Sequence, residues 1–599
     1  MQSSSPDTAQ KCVALLQNKL SFSHYMESFS PFYSDIGLSF SDEGGIDFLN
    51  LHYNRKTRNI GPAFFKASSR CISQEHGVLG ISQVFETGTC NIRFYDRNSF
   101  IVDCNKIGNC SFSFYKKEYE VLSHCYQEYD AASSSYLFHG YLGDGDSRDP
   151  DMFTPIILGI KVINGNILKG NGISDALLIE PDASGRILIA FSCNLLSISN
   201  SDIVHLLAKA PLDTAAAEKA TFDWFQKAIG KLAVFSDKDT KEEQLTLASC
   251  VFSLISNCCI APGYLENRIS GFPNRGSYPC VFLWDTFFQN LAYEFMDSQI
   301  ARDSVLVLTD NLRPDGKMAH FLCSTWIRPM ETQPPLIGWA ALKLIKARND
   351  LALAGEILEP LMKNTHWWLT HRMTPYGLVC SFNPYETGWD DTPRFDRGAI
   401  LPCDINTYLY TQMTACAEMA AMLGKTELSL ELKEKAQNYR QKMLDLLYDP
   451  AENIFKDVLV ETGEQLPYQT PACFLPLFTD VLPEPQAVKM ISSYLLNPNK
   501  FFGDIPFPSL AYDEPEYYPD KWWRGPTWMP IAYFMLELLK KYGFNKEASI
   551  ASNRLYNMIL KDRRISEVFN SKTGEGMGGR QQGWTAAILL NIKTHLIHE

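Results

Sequence analysis

Along Ser111-Phe112-Ser113-Phe114-Tyr115 apolar and polar residues alternate, a period of two that predicts a strand with one buried face. The β-branched runs Gly159-Ile160-Lys161-Val162-Ile163 and Arg186-Ile187-Leu188-Ile189-Ala190-Phe191 read the same way. From about residue 32 to 196 such runs recur between turn-prone stretches, among them Gly143-Asp144-Gly145-Asp146 and Asn164-Gly165-Asn166, the spacing of an antiparallel β-sandwich. At about Ser199 the pattern changes. Asp213-Thr214-Ala215-Ala216-Ala217-Glu218-Lys219-Ala220, followed by Phe222, Trp224 and Phe225, is strongly helix-forming, and Ser201-Asp202 offers a cap. A helical linker is expected over 200–240.

Beyond Lys241 the period is helical, with helices expected over 242–259, 286–298, 336–349, 351–370, 405–422, 426–447, 526–542, 546–561 and 584–594. Several are apolar on most faces, 405–422 and 584–591 above all, which suits helices enclosed by other helices. No short repeat period runs through this region, so a closed double ring of helices is favoured over a solenoid. The expected organisation is a β-sandwich over 1–199, the linker, and an all-α domain over 241–599.

A chain of 599 residues exceeds one ordinary core, in keeping with two domains. With 45% hydrophobic and 21% charged residues it reads as a globular protein of the soluble class. Aromatic residues reach 12%, and flat amphipathic rings suit sugar faces as well as cores. The formal charge of −13 argues against nucleic acid or an anionic membrane as partner, both of which ask for a basic surface. Met1-Gln2-Ser3-Ser4-Ser5-Pro6-Asp7 lacks a basic, then apolar, export pattern, and no segment approaches the roughly 20 apolar residues of a spanning helix. The 16 cysteines form no C-x-x-C pairs and read as reduced, mostly buried thiols, so a cytoplasmic location is expected. His76, His139, His320, His366 and His371 have no metal-ligand spacing with nearby cysteines, and no metal site is expected.

Chemistry concentrates in two loops. One runs Glu386-Thr387-Gly388-Trp389-Asp390-Asp391-Thr392-Pro393-Arg394; the other, far along the chain, runs Glu567-Val568-Phe569-Asn570-Ser571-Lys572-Thr573-Gly574. Paired acids in aromatic, glycine-containing loops are what glycoside hydrolysis asks for, because one carboxyl must donate a proton while the other stays ionised. Trp389 beside Asp390 disfavours its charge by desolvation, and an ionised Asp391 would raise its pKa further. Asp391 is itself a rival for the acid role, and Glu575, in the same loop as Glu567, is the reserve for the base.

These loops, together with Leu283-Trp284-Asp285-Thr286-Phe287-Phe288, Gln333-Pro334-Pro335, Asp404-Ile405-Asn406, Trp522-Trp523-Arg524-Gly525-Pro526-Thr527-Trp528 and Gly583-Trp584-Thr585-Ala586, resemble glycoside hydrolase family 63 in order and spacing across roughly 240–595. The likeness is greatest to the branch of bacterial mannosylglycerate and glucosylglycerate hydrolases and weaker to trehalases. It implies an (α/α)6 barrel with an N-terminal β-sandwich and an inverting mechanism on an α-linked glucoside or mannoside. It also implies Asp390 as general acid and Glu567 as general base, and an inverting pair stands about 6.5–9.5 Å apart to admit water. Trp284, Asp285, Gln333, Gly388, Trp389, Arg524, Trp528 and Trp584 are the implied sugar-binding residues. The competing readings are a loop-capping Asp390, an exposed helix-end Glu567, a core Trp284 and a salt-bridged Arg524. Arg580 lies close to where trehalases carry an acidic residue before their Gly-Trp, a departure that weakens a trehalase assignment. Arg580, Arg524 and Arg394 are candidate cations for an anionic aglycone, with Arg394 favoured as a loop buttress.

The resulting expectation is an exo-acting α-glucosidase on a small glucoside, glucosylglycerate or an α-linked disaccharide. Acid and base hydrolysis needs no cofactor, and the partner expected is the small α-linked substrate. An α-mannosidase of the mannosylglycerate type and a catalytically silent sugar-binding protein are the alternatives.

Overall fold

Residues 5–17, 29–40, 42–52, 58–60, 63–114, 122–142, 154–170, 176–195, 199–325, 327–328 and 330–598 are described by the structure, a computed structural model. The chain divides into two compact units, one of Met1–Cys280 with Cys323–Trp326, the other of Val281–Leu322 with Ile327–Glu599.

In the first unit the alternating sequences form antiparallel sheets. The largest runs, in spatial order, Leu122–Asp130, Ser135–Leu142, Thr154–Asn164, Arg186–Leu195, Ser99–Asn105, Thr89–Asp96, Gly80–Phe85 and Cys71–Gly77. The β-branched runs expected at 159–163 and 186–191 pair with each other near its centre, Ile160 opposite Phe191. The strand expected at 111–115 is Cys110–Phe112, in a smaller sheet between Leu177–Glu180 and Phe65–Ala67. Tyr115 and the turn-prone 143–146 lie outside the described residues. Phe64 sets its ring edge-on to Phe112 of the small sheet at 5.6 Å and to Phe191 of the large sheet at 5.3 Å, so aromatic packing joins the two.

The helix-forming stretch after Ser199 is two helices, Asn200–Ala208 and Thr214–Ile229. Ile203 and Leu207 bury themselves among Leu137, Ile157 and Leu188 of the large sheet. Gly159 is what lets the helix sit this low, since a Cβ there would stand 2.3 Å from Ile203 and 2.8 Å from Leu207. Asp213 caps the second helix by accepting the Ala216 N–H, and Arg93 donates to Glu218 at 2.7 Å. Lys241–Ser256 opens with a capping box between Thr240 and Glu243. Ser5–Leu16 is a helix that the sequence pattern did not suggest; it packs against Lys241–Ser256 with Cys12 and Leu16 buried.

The second unit alternates wholly buried segments with amphipathic ones. Leu283–Tyr293 is buried at every position, whereas Thr426–Leu447 buries only Ser429, Leu432, Ala436, Tyr439, Met443 and Leu447, the stripe of a surface helix. Among the described residues, Leu283–Tyr293, Ile337–Arg348, Cys403–Met422, the 3-10 segment Pro471–Thr479, Met529–Lys541 and Gly583–His598 each pack against the next, and the last packs against the first. Ser298–Asp310, Pro471–Thr479, Glu484–Met490 and Ile491–Leu495 are absent from the expected helices, and Met529–Lys541 starts later than expected. Thr527 is diverted into backbone pairing with Phe569, which delays that helix. No described helix is long and apolar enough to cross a membrane.

Gly159→Val is expected to lower unfolding stability by about 1–3 kcal/mol, because Ile203 and Leu207 must retreat from the sheet. Denaturant unfolding followed by circular dichroism measures it, and an unchanged midpoint would show that the helix does not depend on this close approach.

Candidate active site

A short 3-10 turn, Pro384–Thr387, presents the first carboxyl-bearing loop. It is locked by Glu386, 1% exposed, whose carboxylate accepts from Arg372 at 2.5 Å and from Ser381 Oγ at 3.1 Å. Trp389 then turns inward, fully buried, and Arg394 sets its guanidinium 5.2 Å from that ring. Arg394 is itself sealed from solvent: Nη1 and Nη2 donate to Asp404 at 2.8 Å, and Nε donates to Asp457 at 2.6 Å. Trp389 meets Trp523 at 5.0 Å, Trp523 stacks on Trp528 at 3.9 Å, and Trp528 meets Trp584 edge-on at 5.9 Å. Trp528 and Trp584 spend their Nε1–H groups on the carbonyls of Trp522 and Glu567.

Asp390, next in sequence to the buried Trp389, is exposed, although enough protein surrounds its carboxyl to desolvate it. Its pKa is pushed up to about 6, first by desolvation and then by the charge of Asp391, against an opposing pull from Arg328. Asp391 is used differently. Its Oδ1 accepts the Trp523 N–H at 2.7 Å and its carbonyl accepts Arg524 Nε at 2.8 Å, while Arg524 grips Asp396 with both terminal nitrogens.

Glu567 begins a hairpin of Val568–Phe569 and Gly576–Met577 and is buried, not an exposed helix-end residue. Its Oε2 accepts the Gly579 N–H at 2.7 Å, and its own N–H donates to the Gly579 carbonyl. Gly578, at a φ of +74°, makes this possible, because a Cβ there would stand 2.6 Å from Oε2. Glu575 lies exposed in the hairpin turn, and Arg580 is exposed after it.

Asp285 joins the two acids. It sits in the first turn of Leu283–Tyr293, buried, and its pKa is held well above the carboxylate range by desolvation, then by the charges of Glu567 and Asp390. Beside it, Trp284 donates its backbone N–H to Gln333 Oε1 at 2.9 Å and faces Gly388, where a Cβ would meet the indole at 3.4 Å. Contacts or charge interactions thus link Trp284, Asp285, Gln333, Gly388, Trp389, Asp390, Arg524, Trp528, Glu567 and Trp584 into one neighbourhood. The buried Nε1 atoms of Trp284 and Trp389 and the Tyr408 hydroxyl have no hydrogen-bond partner among the described residues. Tyr408, Asp457, Arg372 and Arg328 have no motif in the sequence; each is placed by the fold alone.

Residues 278–585, more than half of the chain, match the family model of the mannosylglycerate hydrolase MGH1-like glycoside hydrolase domain. The chain belongs to this MGH1-like glycoside hydrolase family. Among MGH1-like relatives it is 26% identical to mannosylglycerate hydrolase MGH1 of Selaginella moellendorffii over 54% of this chain and 83% of that protein. It is 25% identical to a mannosylglycerate hydrolase of Thermus thermophilus over 53% and 95%. In fold it resembles the GH63 mannosylglycerate hydrolase from a second strain of Thermus thermophilus, bound to Tris, with a TM-score of 0.51, 21% identity, and 58% and 99% of the two chains covered. A bacterial glucoamylase complexed with acarbose matches over 97% and 96% of the chains at 12% identity, with a TM-score of 0.57. The MGH1-like match spans both carboxyl-bearing loops and Asp285.

A raised carboxyl pKa makes a signed prediction. Above its ordinary value of 3.8 the unfolded Asp390 ionises first, so the native state loses stability as pH rises towards about 6. Relative to the wild type, Asp390→Asn should therefore gain melting temperature between about pH 4 and 6 and hold that gain above it. Thermal melts across this range test it, and a constant difference at every pH would contradict the raised pKa.

Proposed function

We propose that this chain is an inverting, exo-acting α-glycoside hydrolase with Asp390 as general acid and Glu567 as general base. The observation that carries the reading is a solvent-reachable carboxyl raised to about 6 whose charge, like that of buried Glu567, reaches Asp285. Two acids in unlike environments around one point are the requirement of this chemistry. Commitment of Asp391 to Trp523 supports Asp390 as the proton donor. Asp390 would protonate the glycosidic oxygen while Glu567 takes a proton from water attacking the anomeric carbon on the opposite face. Asp285 would hold the sugar's hydroxyls, with Trp284 beside it and Gln333 and Gly388 setting the indole. Arg524, Trp528 and Trp584 would act on the sugar through the loops they brace.

The closed packing order of the buried segments between Leu283 and His598 supports an (α/α)6 barrel; the division proposed is a barrel over 241–599, following a β-sandwich over 1–199 and a helical connection over 200–240. The substrate proposed is a small α-glucoside, glucosylglycerate or a disaccharide. A second reading, an α-mannosidase acting on mannosylglycerate, is favoured by the names of the relatives. We place the enzyme in the cytoplasm.

Asp390→Asn and Glu567→Gln are each expected to lower hydrolysis at least about 100-fold in a folded protein. Assay of α-glucosides and α-mannosides in parallel identifies the sugar, and near-normal turnover in either variant would remove the assignment. The first product of an α-glycoside should be the β-anomer, read by early proton NMR. Initial release of the α-anomer would mean a retaining reaction.

A further inference from the structure

The far end of the Glu567 hairpin, from Thr573 to Gly576, forms one wall of a cleft of about 570 Å³. The facing wall is the end of the helix Asn545–Asp562, where Arg554, Asn557 and Lys561 follow one another at intervals of three and four and so share a face. Asp504 and Ile505 close the cleft from a third segment. None of the residues gathered around Asp285 lines it, and its volume falls in the range of about 300–1,000 Å³ usual for small-molecule sites.

The walls are fastened by contacts that leave other polar groups of the lining unspent. Arg554 Nη1 donates to the Gly503 carbonyl at 2.7 Å, and Arg564 donates to the Gly576 carbonyl. Asp562 accepts from the Ser566 N–H at 2.8 Å and from its hydroxyl at 3.0 Å, one residue before Glu567. Gly576 permits this, because a Cβ there would stand 2.0 Å from Asp562 Oδ1. The turn rests on apolar side chains: a Cβ on Gly574 would meet Ile505 at 3.2 Å and Met558 at 3.3 Å. By contrast the carboxylates of Asp504 and Glu575, the Asn557 amide and the Lys561 ammonium make no hydrogen bond among the described residues.

Two accepting carboxylates, a donating ammonium and an amide that does both, set around an apolar floor, suit a neutral molecule rich in hydroxyls, since each hydroxyl donates and accepts. An anion is disfavoured, because three acids balance the three cations of the lining and the cleft lies against the C-terminal, negative end of a helix. We propose that this cleft is a secondary binding site for a small sugar or polyol, separate from the proposed catalytic pocket. Its occupant bridges the helix Asn545–Asp562 and the hairpin whose strands pair directly after Glu567, so occupancy fixes the hairpin and acts on turnover. The binding site stands on the cleft alone, whereas its effect on turnover rests on the hydrolase reading.

The test uses the full-length protein with D-glucose, D-mannose and inorganic phosphate as probes. Hydrogen exchange read by mass spectrometry should show a sugar, at about ten times its Kd, slowing local opening of the Thr573–Gly576 turn about 10-fold. Asn557→Leu combined with Lys561→Met, or Asp504→Ala on the third segment, should abolish that slowing while residues 386–394 still respond to the sugar. These side chains are remote from the proposed acid and base, so without added sugar the variants should melt and turn over like the wild type. In the wild type, added sugar should change kcat at least about 2-fold, which competition in the catalytic pocket cannot do, and the change should vanish in the variants. A turn slowed by sugar in a protein that hydrolyses no glycoside would leave the site standing and sink the hydrolase reading. Slowing by phosphate and not by sugar, no slowing by any probe, or slowing that survives in every variant overturns the site and leaves the hydrolase reading intact.

Discussion

Arg394, enclosed with Asp404 and Asp457, is the contact on which the acid loop depends. A guanidinium in a site without solvent is tolerable only if its partners neutralise it at close range, and removing one partner of such a pair costs about 3–5 kcal/mol. Here two carboxylates meet one cation, leaving a buried excess of negative charge. The excess is met by the N-terminus of Cys403–Met422: Asp457 accepts the Cys403 N–H at 2.8 Å and Asp404 accepts the Ile405 N–H at 2.9 Å. The helix dipole, the ion cluster and the flat face of Trp389 therefore form one unit, and Asp390 inherits its position from it.

From Trp389 the constraint passes through aromatic rings. The Trp389, Trp523, Trp528 and Trp584 series converts a fixed point behind the proposed acid into a fixed point at Glu567, whose carbonyl takes the Trp584 N–H. Stiff rings suit this role because each has only two side-chain torsions and a large contact face. Their burial explains why most of the tryptophans in the motifs serve as framework, while the polar edges of Trp284 and Trp389 stay unspent.

Much of this was legible in the chain. Thr426–Leu447 coincides with its expected limits because a helix half exposed writes its period plainly, and Cys403–Met422 was recognisable by an apolar content that no strand of that length would carry. Ser298–Asp310 was not, since Ser, Gln, Arg and Asp punctuate its first turns and nine of its residues are nonetheless buried. Asp390 and Asp391 are adjacent and chemically identical, so their separation into an accessible carboxyl and a loop anchor rests on the path of Trp523, 132 residues later. Arg328 and Asp457 carry no local signal at all, because what matters in each is a partner supplied by tertiary structure.

The segment from Tyr517 to Trp528 touches both ends of the proposed chemistry. Trp523 and Arg524 fasten it to Asp391 and Asp396, while Thr527 exchanges backbone hydrogen bonds with Phe569 and Tyr517 meets Ser571 at 2.7 Å. It behaves as a gauge block, a spacer whose length is copied into the gap between two working faces. In the proposed inverting reaction, the gap that admits water would then be set by a piece that contributes no reacting atom. One residue added to this spacer would reset that gap, whereas loops that touch neither the Arg394 cluster nor the Glu567 hairpin can be exchanged without altering the spacer's length.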